Sequence, residues 1–450
     1  MRLGIGAAVA AVMLLFCVPA LAQATPAAAP THSVTVQPLA PLATAHAPAA
    51  FNALKATNAY LASVSGPARA RSDAYFEGGY WLILVNTLYA LAVAAIVLWL
   101  HISSGIRNWA AGITRSRFWQ VPIYIAVYTV VATALTFPLT LYEDFFREHA
   151  YGLSNQDFAQ WLGDFAIGFG FEIVATVIVA TIIYAVVRGT PRFWWLWGAV
   201  VAVFFMGVGL IVEPVFIAPA FNHYYALKDG PVKQEILSLA RANEIPADNV
   251  YEFDASKQSK RISANVSGFI GTTRISLNDN LIDESNAREI EAVLGHEMGH
   301  YVLDHSAILL TWLGLVVLVG FAFVNFAFRV LTGIFGGNWD VRTIDDPAGF
   351  PLVMALFSVF MLLATPVTNT IVRTIEAQAD AFGLNVARQP DGFATVTLKL
   401  SNYRKLDPSP WEEFVFYDHP SGRSRIFRAM TWKAEHLNDW DIKNGPVSPQ

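Results

Sequence analysis

The stretch from Asn286 to His305, NAREIEAVLGHEMGHYVLDH, places two histidines four residues apart with a glutamate directly after the first. Ile290, Val293, Leu294 and Met298 recur at helical spacing, so the segment predicts a helix. On that helix His296 and His300 project from one face, and Glu297 lies one residue round. Two imidazoles so placed suit a zinc ion, and the adjacent carboxylate suits removal of a proton from a metal-bound water. Glu297 is thus the candidate general base. Gly295 and Gly299 are read as leaving the metal face uncrowded.

Two histidines leave the coordination incomplete. An extended pattern with glycine three and histidine six residues after His300 fails, because those positions hold Leu303 and Ser306. His305 falls one residue short and reads as a supporting or surface residue. The third ligand is then sought on a later helix. Arg373 to Gly383 reads RTIEAQADAFG, with Glu376 and Asp380 at i,i+4 and Arg373 on the same side. Glu376 would complete a His2Glu site and leave the fourth position for water. Asp380 would accept the free N–H of a ligand imidazole. A surface helix with an Arg373–Glu376 salt bridge is the plainer use of these residues. The missing ligand and the topology below favour the metal. The single cysteine, Cys17, rules out a thiolate zinc site and a disulfide framework.

The elements that must position these residues lie in a membrane. The 450 residues are 54% hydrophobic and only 14% charged, against about 25% charged in ordinary soluble domains. A net charge of −5 gives no reason to expect a nucleic-acid partner. Residues 1–24 carry Arg2, an apolar run and the pattern Ala20-Leu21-Ala22, which reads as a signal peptide. Phe16 before Cys17 argues against a lipid attachment there. Residues 25–75 read as an Ala/Pro-rich linker and an amphipathic lead-in.

Six later stretches are long enough to cross a bilayer, beginning near Tyr80, Phe118, Trp161, Phe193, Ala307 and Phe350. The expected division is four spans in 76–217, a first catalytic part in 218–306, two spans in 307–371 and a second catalytic part in 372–450. Spans five and six return the chain to the side it left, so the two catalytic parts can meet. Arg107, Arg115, Arg117, Arg188, Arg192 and Arg342 gather in the loops at the opposite end, which marks that end as cytoplasmic. The catalytic parts are therefore expected on the periplasmic side of a bacterial inner membrane.

Four segments together go beyond the metal pattern: HEMGHYVLDH (296–305), EAQADAFG (376–383), EPVFIAPAFNHYYAL (213–227) and DHPSGRSRI (418–426). On these the chain, from about 75 to 430, resembles the type I CAAX prenyl endopeptidase family and its bacterial relatives. The resemblance implies a mainly α polytopic fold, with about six membrane helices enclosing a water-filled chamber. A gluzincin-like metallopeptidase domain with a small β-sheet would cap it. It also implies one Zn2+ per chain on His296, His300 and Glu376, with Glu297 as base. By the same likeness His419 would donate to the oxyanion and Arg425 would buttress the site. Residues 261–268 would supply an edge strand that pairs with an extended peptide. The family usually has Asn-Ala there; this chain has Ser263-Ala264, with asparagine only at Asn265, and these three are the candidate substrate-binding residues.

The function expected is endoproteolysis of peptides, or of membrane or misfolded proteins, with a peptide or protein substrate and the lipid bilayer as partners. An inactive scaffold on the same fold would lack a ligand or the base, and all four residues are present. A membrane transporter would have no use for the metal pattern.

Overall fold

The computed structural model describes residues 51–268 and 273–449; the expected signal peptide (1–24) and the part of the expected linker up to residue 50 lie outside them. The chain is built from long helices. The helix α1 (Ala53–Ala62) is capped by Asn52, whose side chain accepts from Lys55 N at 2.9 Å. It leads into α2 (Gly66–Trp99), the short α3 (Ile102–Ile113) and α4 (Arg117–Leu141), which continues through a π turn to Ala150. Then come α5 (Phe158–Gly189) and α6 (Trp194–Val212), the latter extended to Phe221.

A small soluble layer follows, with β1 (Tyr224–Ala226), α7 (Pro231–Ala242), β2 (Val250–Phe253), β3 (Ala264–Ser267), β4 (Arg274–Asn278) and α8 (Asp279–Glu284). The chain then forms α9 (Ala287–Val302), α10 (His305–Trp339) and α11 (Phe350–Ala387). It closes with α12 (Pro390–Lys399), α13 (Pro410–Phe416), α14 (Gly422–Glu435) and α15 (Trp440–Lys443).

Among the described residues six helices are long and apolar enough to cross a membrane: α2, α4, α5, α6, α10 and α11. The six expected spans are all there, but several helices overrun them. The α2 helix starts at Gly66 rather than Tyr80, because Ser72, Tyr75 and Phe76 are buried and extend it beyond the apolar stretch. The α11 helix runs unbroken past Ile371 to Ala387, so the expected boundary at 371–372 falls inside one rigid element. At 38 residues it is about 57 Å long. Its length carries Glu376 and Asp380 out of the apolar stretch without a joint.

The six helices meet in a cyclic order, α2–α11–α10–α6–α5–α4 and back to α2. Their buried residues gather at the arginine-rich end. Leu98, Val187, Trp194, Trp339 and Leu352 pack in one cluster there, and Val97, Tyr124, Ile125 and Tyr184 in another. Towards the catalytic end burial thins out. In α4 no residue after Thr129 is buried up to Leu141, and in α5 none lies between Trp161 and Ala175. Along α4 and α5 burial is thus concentrated at the arginine-rich end and sparse towards the end where the soluble layer sits.

That layer holds a four-stranded sheet in the order β1-β2-β4-β3, with β2 and β4 parallel and the outer pairs antiparallel. It packs with α7 and α9 around Ile236, Ile275, Leu277, Leu294 and Met298. A second core joins α1, α12 and α14 through Tyr60, Phe393, Ile426 and Met430, and includes Leu384 of α11. The helices α9 and α11 run between these two cores.

Candidate metal centre

The α9 helix begins with a reciprocal cap, in which Asn286 accepts from Glu289 N and Glu289 accepts from Asn286 N. Its Leu294 and Met298 point into the sheet core, which turns His296, Glu297 and His300 towards α11. The crossing with α11 is tight. A Cβ at Gly295 would lie 3.1 Å from the Gly383 carbonyl oxygen, and one at Gly299 would lie 3.2 Å from Ala379 Cα. These glycines do not open the metal face, as the sequence reading supposed. They let the two helix backbones approach, since every added Cβ would meet main chain.

At this crossing the ligand atoms of His296, His300 and Glu376 converge within 4.8 Å of one another. His296 Nε2 lies 3.1 Å from His300 Nε2 and 3.2 Å from Glu376 Oε2; His300 Nε2 lies 3.5 Å from Glu376 Oε1. Glu376 is buried, and its Oε2 has no well-formed hydrogen bond despite the nearby rings. A carboxylate oxygen and two imidazole nitrogens facing one point, each an electron-pair donor, fit a small divalent cation of zinc type.

The residues behind them fix the tautomers. His296 Nδ1 lies 2.9 Å from Asp380 Oδ1, so Nδ1 donates there and Nε2 is the nitrogen turned towards the centre. Burial alone would lower the His296 pKa; Asp380 and Glu376 outweigh it and raise the value to about 10. Burial, with the neighbouring His296, holds His300 down to about 4. Asp380 is itself gripped by Arg425, with Nη2 at 2.6 Å and Nε at 3.0 Å, and by Arg428 at 3.1 Å. Arg425 thus reaches the centre through Asp380. Arg428, three residues on and on the same face of α14, was not picked out in the sequence; i,i+3 spacing from Arg425 was the available signal.

Glu297, next to His296 on α9, feels the charges of His296 and Glu376, and burial pushes its pKa up to about 7. His419 approaches from the other side, with Nε2 3.3 Å from Glu376 Oε2 and Nδ1 2.9 Å from Asp418 Oδ1. Burial, aided by Arg404, lowers the His419 pKa. The salt bridge between Arg373 and Glu376, weighed as the plainer reading, is not among the described ion pairs. Arg373 donates to the carbonyls of Glu413 at 2.8 Å and Tyr417 at 2.5 Å, and so pins the chain leading into Asp418 and His419. His305 is buried, its Nδ1 3.0 Å from His300 Nδ1. It supports the His300 ring and is no surface residue.

The strand β3 is an edge of the sheet and packs beside α9. Asn278 N donates to Ser263 O at 2.9 Å, so by alternation Asn265 and Ser267 bond to β4 while the main chain of Ala264 and Val266 faces the open edge. Of the three candidate substrate-binding residues, Ser263 and Asn265 have their main chain turned inward. Ala264 offers its own outward, joined by Val266, which the sequence reading did not single out.

A ring of membrane helices capped by a two-histidine, one-carboxylate crossing defines a membrane-embedded metallopeptidase. Residues 226–433 match Peptidase family M48, and residues 57–223 match the family described as CAAX prenyl protease N-terminal, five membrane helices. The chain is 28% identical to the uncharacterized metalloprotease YhfN of Bacillus subtilis, over 84% of this chain and 89% of that protein. It is 31% identical to the CAAX prenyl protease 1 homolog of Oryza sativa subsp. japonica, over 63% of this chain and 67% of that one. The crystal structure of S. mikatae Ste24p superposes with a TM-score of 0.68 at 21% identity, covering 84% of this chain and 98% of that one. The protein belongs to the M48 metallopeptidase family, in its membrane-integrated CAAX prenyl protease type.

Proposed function

We propose that the protein is a zinc endopeptidase that cuts extended peptide segments, from membrane proteins or misfolded chains, at the α9–α11 crossing. The observation that carries this reading is the convergence of His296, His300 and Glu376 on one point, with Glu297 alongside. Zinc bound there would supply Lewis acidity that makes water nucleophilic at neutral pH. Glu297 takes the proton of the attacking water and returns it to the leaving amine. His419 donates to the carbonyl oxygen as negative charge develops on it, and Asp418 orients the ring and offsets part of the lowering that burial imposes on its pKa. Asp380 and Arg425 hold His296 in its donating tautomer. The open edge of β3 would align the substrate by pairing with the main chain of Ala264 and Val266. The less buried half of the helix ring would admit the chain, and the arginine-rich far end supports a centre on the periplasmic side of a bacterial inner membrane.

The test is metal content and peptide cleavage on the detergent-purified protein and its Glu297→Gln variant. Equal, stoichiometric zinc in both, with cleavage lower by about two to four orders of magnitude in the variant, supports the assignment. Equal cleavage by both proteins, or no bound metal, removes it.

A further inference from the structure

The end of the bundle away from the metal centre contains a second pocket. It lies between the start of α6, the last third of α10 and the loop before α11, with a volume of about 370 Å³. Its polar lining comes from Asn325, Arg329, Thr332, Arg342 and Thr343, and Trp194 forms one wall. Both guanidinium groups are exposed. No ion pair to either occurs among the described residues, and the acids of the loop are engaged elsewhere: Asp340 and Asp346 pair with Arg107 at 2.5 and 2.8 Å, and Asp345 accepts from the Thr343 hydroxyl. Two cations share one small pocket without a protein anion.

Depth in the membrane tells what can supply that anion. Arg329 lies at the end of the apolar stretch of α10, with ten further helical residues beyond it to Trp339. A charged residue at that level of a spanning helix is costly unless it meets headgroups or a partner. Trp194 and the exposed Phe193 and Trp197 sit at the start of α6, as aromatic residues do at a membrane interface. Trp194 Nε1 donates to Asn325 Oδ1 at 2.9 Å, and Asn325, whose amide N–H groups have no acceptor among the described residues, lines the pocket. The pocket also shares Trp194 and Ile344 with a narrow, almost wholly apolar slot bounded by Ile183, Phe321 and Met354. Basic and amide donors at headgroup level, continuous with an apolar slot, describe an amphipathic anion.

We propose that this pocket seats the phosphate of an anionic phospholipid from the leaflet at the arginine-rich face, with Arg329 and Arg342 as its charge partners. The lipid joins α6, α10 and the loop before α11 at the packed floor of the helix ring. Basic pockets between spanning helices recognise acidic headgroups in this way.

The experiment compares the thermal unfolding of the full detergent-purified chain in micelles doped with phosphatidylglycerol or with phosphatidylcholine. Bound lipid is counted in parallel by native mass spectrometry. Wild type is expected to gain stability and retain phosphatidylglycerol selectively. The double variant Arg329→Gln/Arg342→Gln should lose more than half of that gain and one bound phosphatidylglycerol, each measured against its own lipid-free baseline. Arg115→Gln/Arg117→Gln, which removes two exposed charges elsewhere on the same face, should keep both. An equal loss in this control, or none in the pocket variant, overturns the site. Equal stabilisation by free glycerol phosphate without lipid overturns the bilayer as the source.

Discussion

His296 Nδ1 and Asp380 Oδ1 lie 2.9 Å apart across the α9–α11 crossing, although 84 residues and two membrane spans separate them in the chain. The contact ties the helix of the two histidines to the helix of Glu376. It also links both to α14, because Arg425 and Arg428 close on the same carboxylate.

Replacing Asp380 by asparagine keeps the shape but leaves two guanidinium groups without their buried counter-charge. Zinc affinity is expected to fall about 10- to 100-fold, since the imidazole loses its orienting acceptor. The metal-free protein should lose about 3–5 kcal/mol, the typical result of breaking a buried ion pair on one side. Chelator competition measures the first effect and denaturant unfolding of the apoprotein the second. Unchanged metal affinity would remove Asp380 from the centre.

Glu297 must be ionised to accept a proton. Burial pushes its pKa up to about 7, and a cation beside it moves the value down from there. Activity should therefore fall as pH drops, with the midpoint of the acid limb of kcat/KM at or below about 7. A profile that stays flat down to about pH 5 would contradict a carboxylate base so placed.

Val266→Pro removes an N–H that faces the open edge of β3 and leaves the ladder to β4 intact. If substrate pairs there, KM should rise about three- to tenfold, the worth of one hydrogen bond, with kcat little changed. Asn265→Pro would instead break the ladder and lower the unfolding temperature. Steady-state kinetics and thermal unfolding of both variants separate the two roles, and an unchanged KM in Val266→Pro would rule out pairing at that position.

Gly383→Ala places a Cβ 2.7 Å from the main-chain nitrogen of His296. The helices must part, at a cost of about 1–3 kcal/mol, and the ligands part with them. Both the melting temperature and the zinc content after dialysis should fall. Gly163→Ala, at a position in α5 with open space around it, should change neither.

The candidate metal ligands that converge in the fold were legible in the chain because their spacing is local or nearly so. His296, Glu297 and His300 share two turns of one helix, and Glu376 and Asp380 share one turn of another. The six spans were equally legible, since a run of apolar residues long enough for a bilayer needs no partner to be recognised. The edge strand within 261–268 was expected from the family resemblance, and β3 lies there at Ala264–Ser267.

Other features depended on which elements meet. Gly295 and Gly299 looked like space beside a metal, whereas Gly383 and Ala379 from α11 fill that space with backbone. Arg373 is one turn from Glu376, the right spacing for a salt bridge, yet the carbonyls of Glu413 and Tyr417 claim it first. His305 is buried against His300 because α10 begins at the metal site rather than on the surface. Residue types and helical period thus determined the candidate ligands, the candidate base and the spans. Tertiary structure alone decided the tautomers, the close crossing and the open edge of β3, because each is a contact between elements far apart in sequence and no local pattern records which partner arrives.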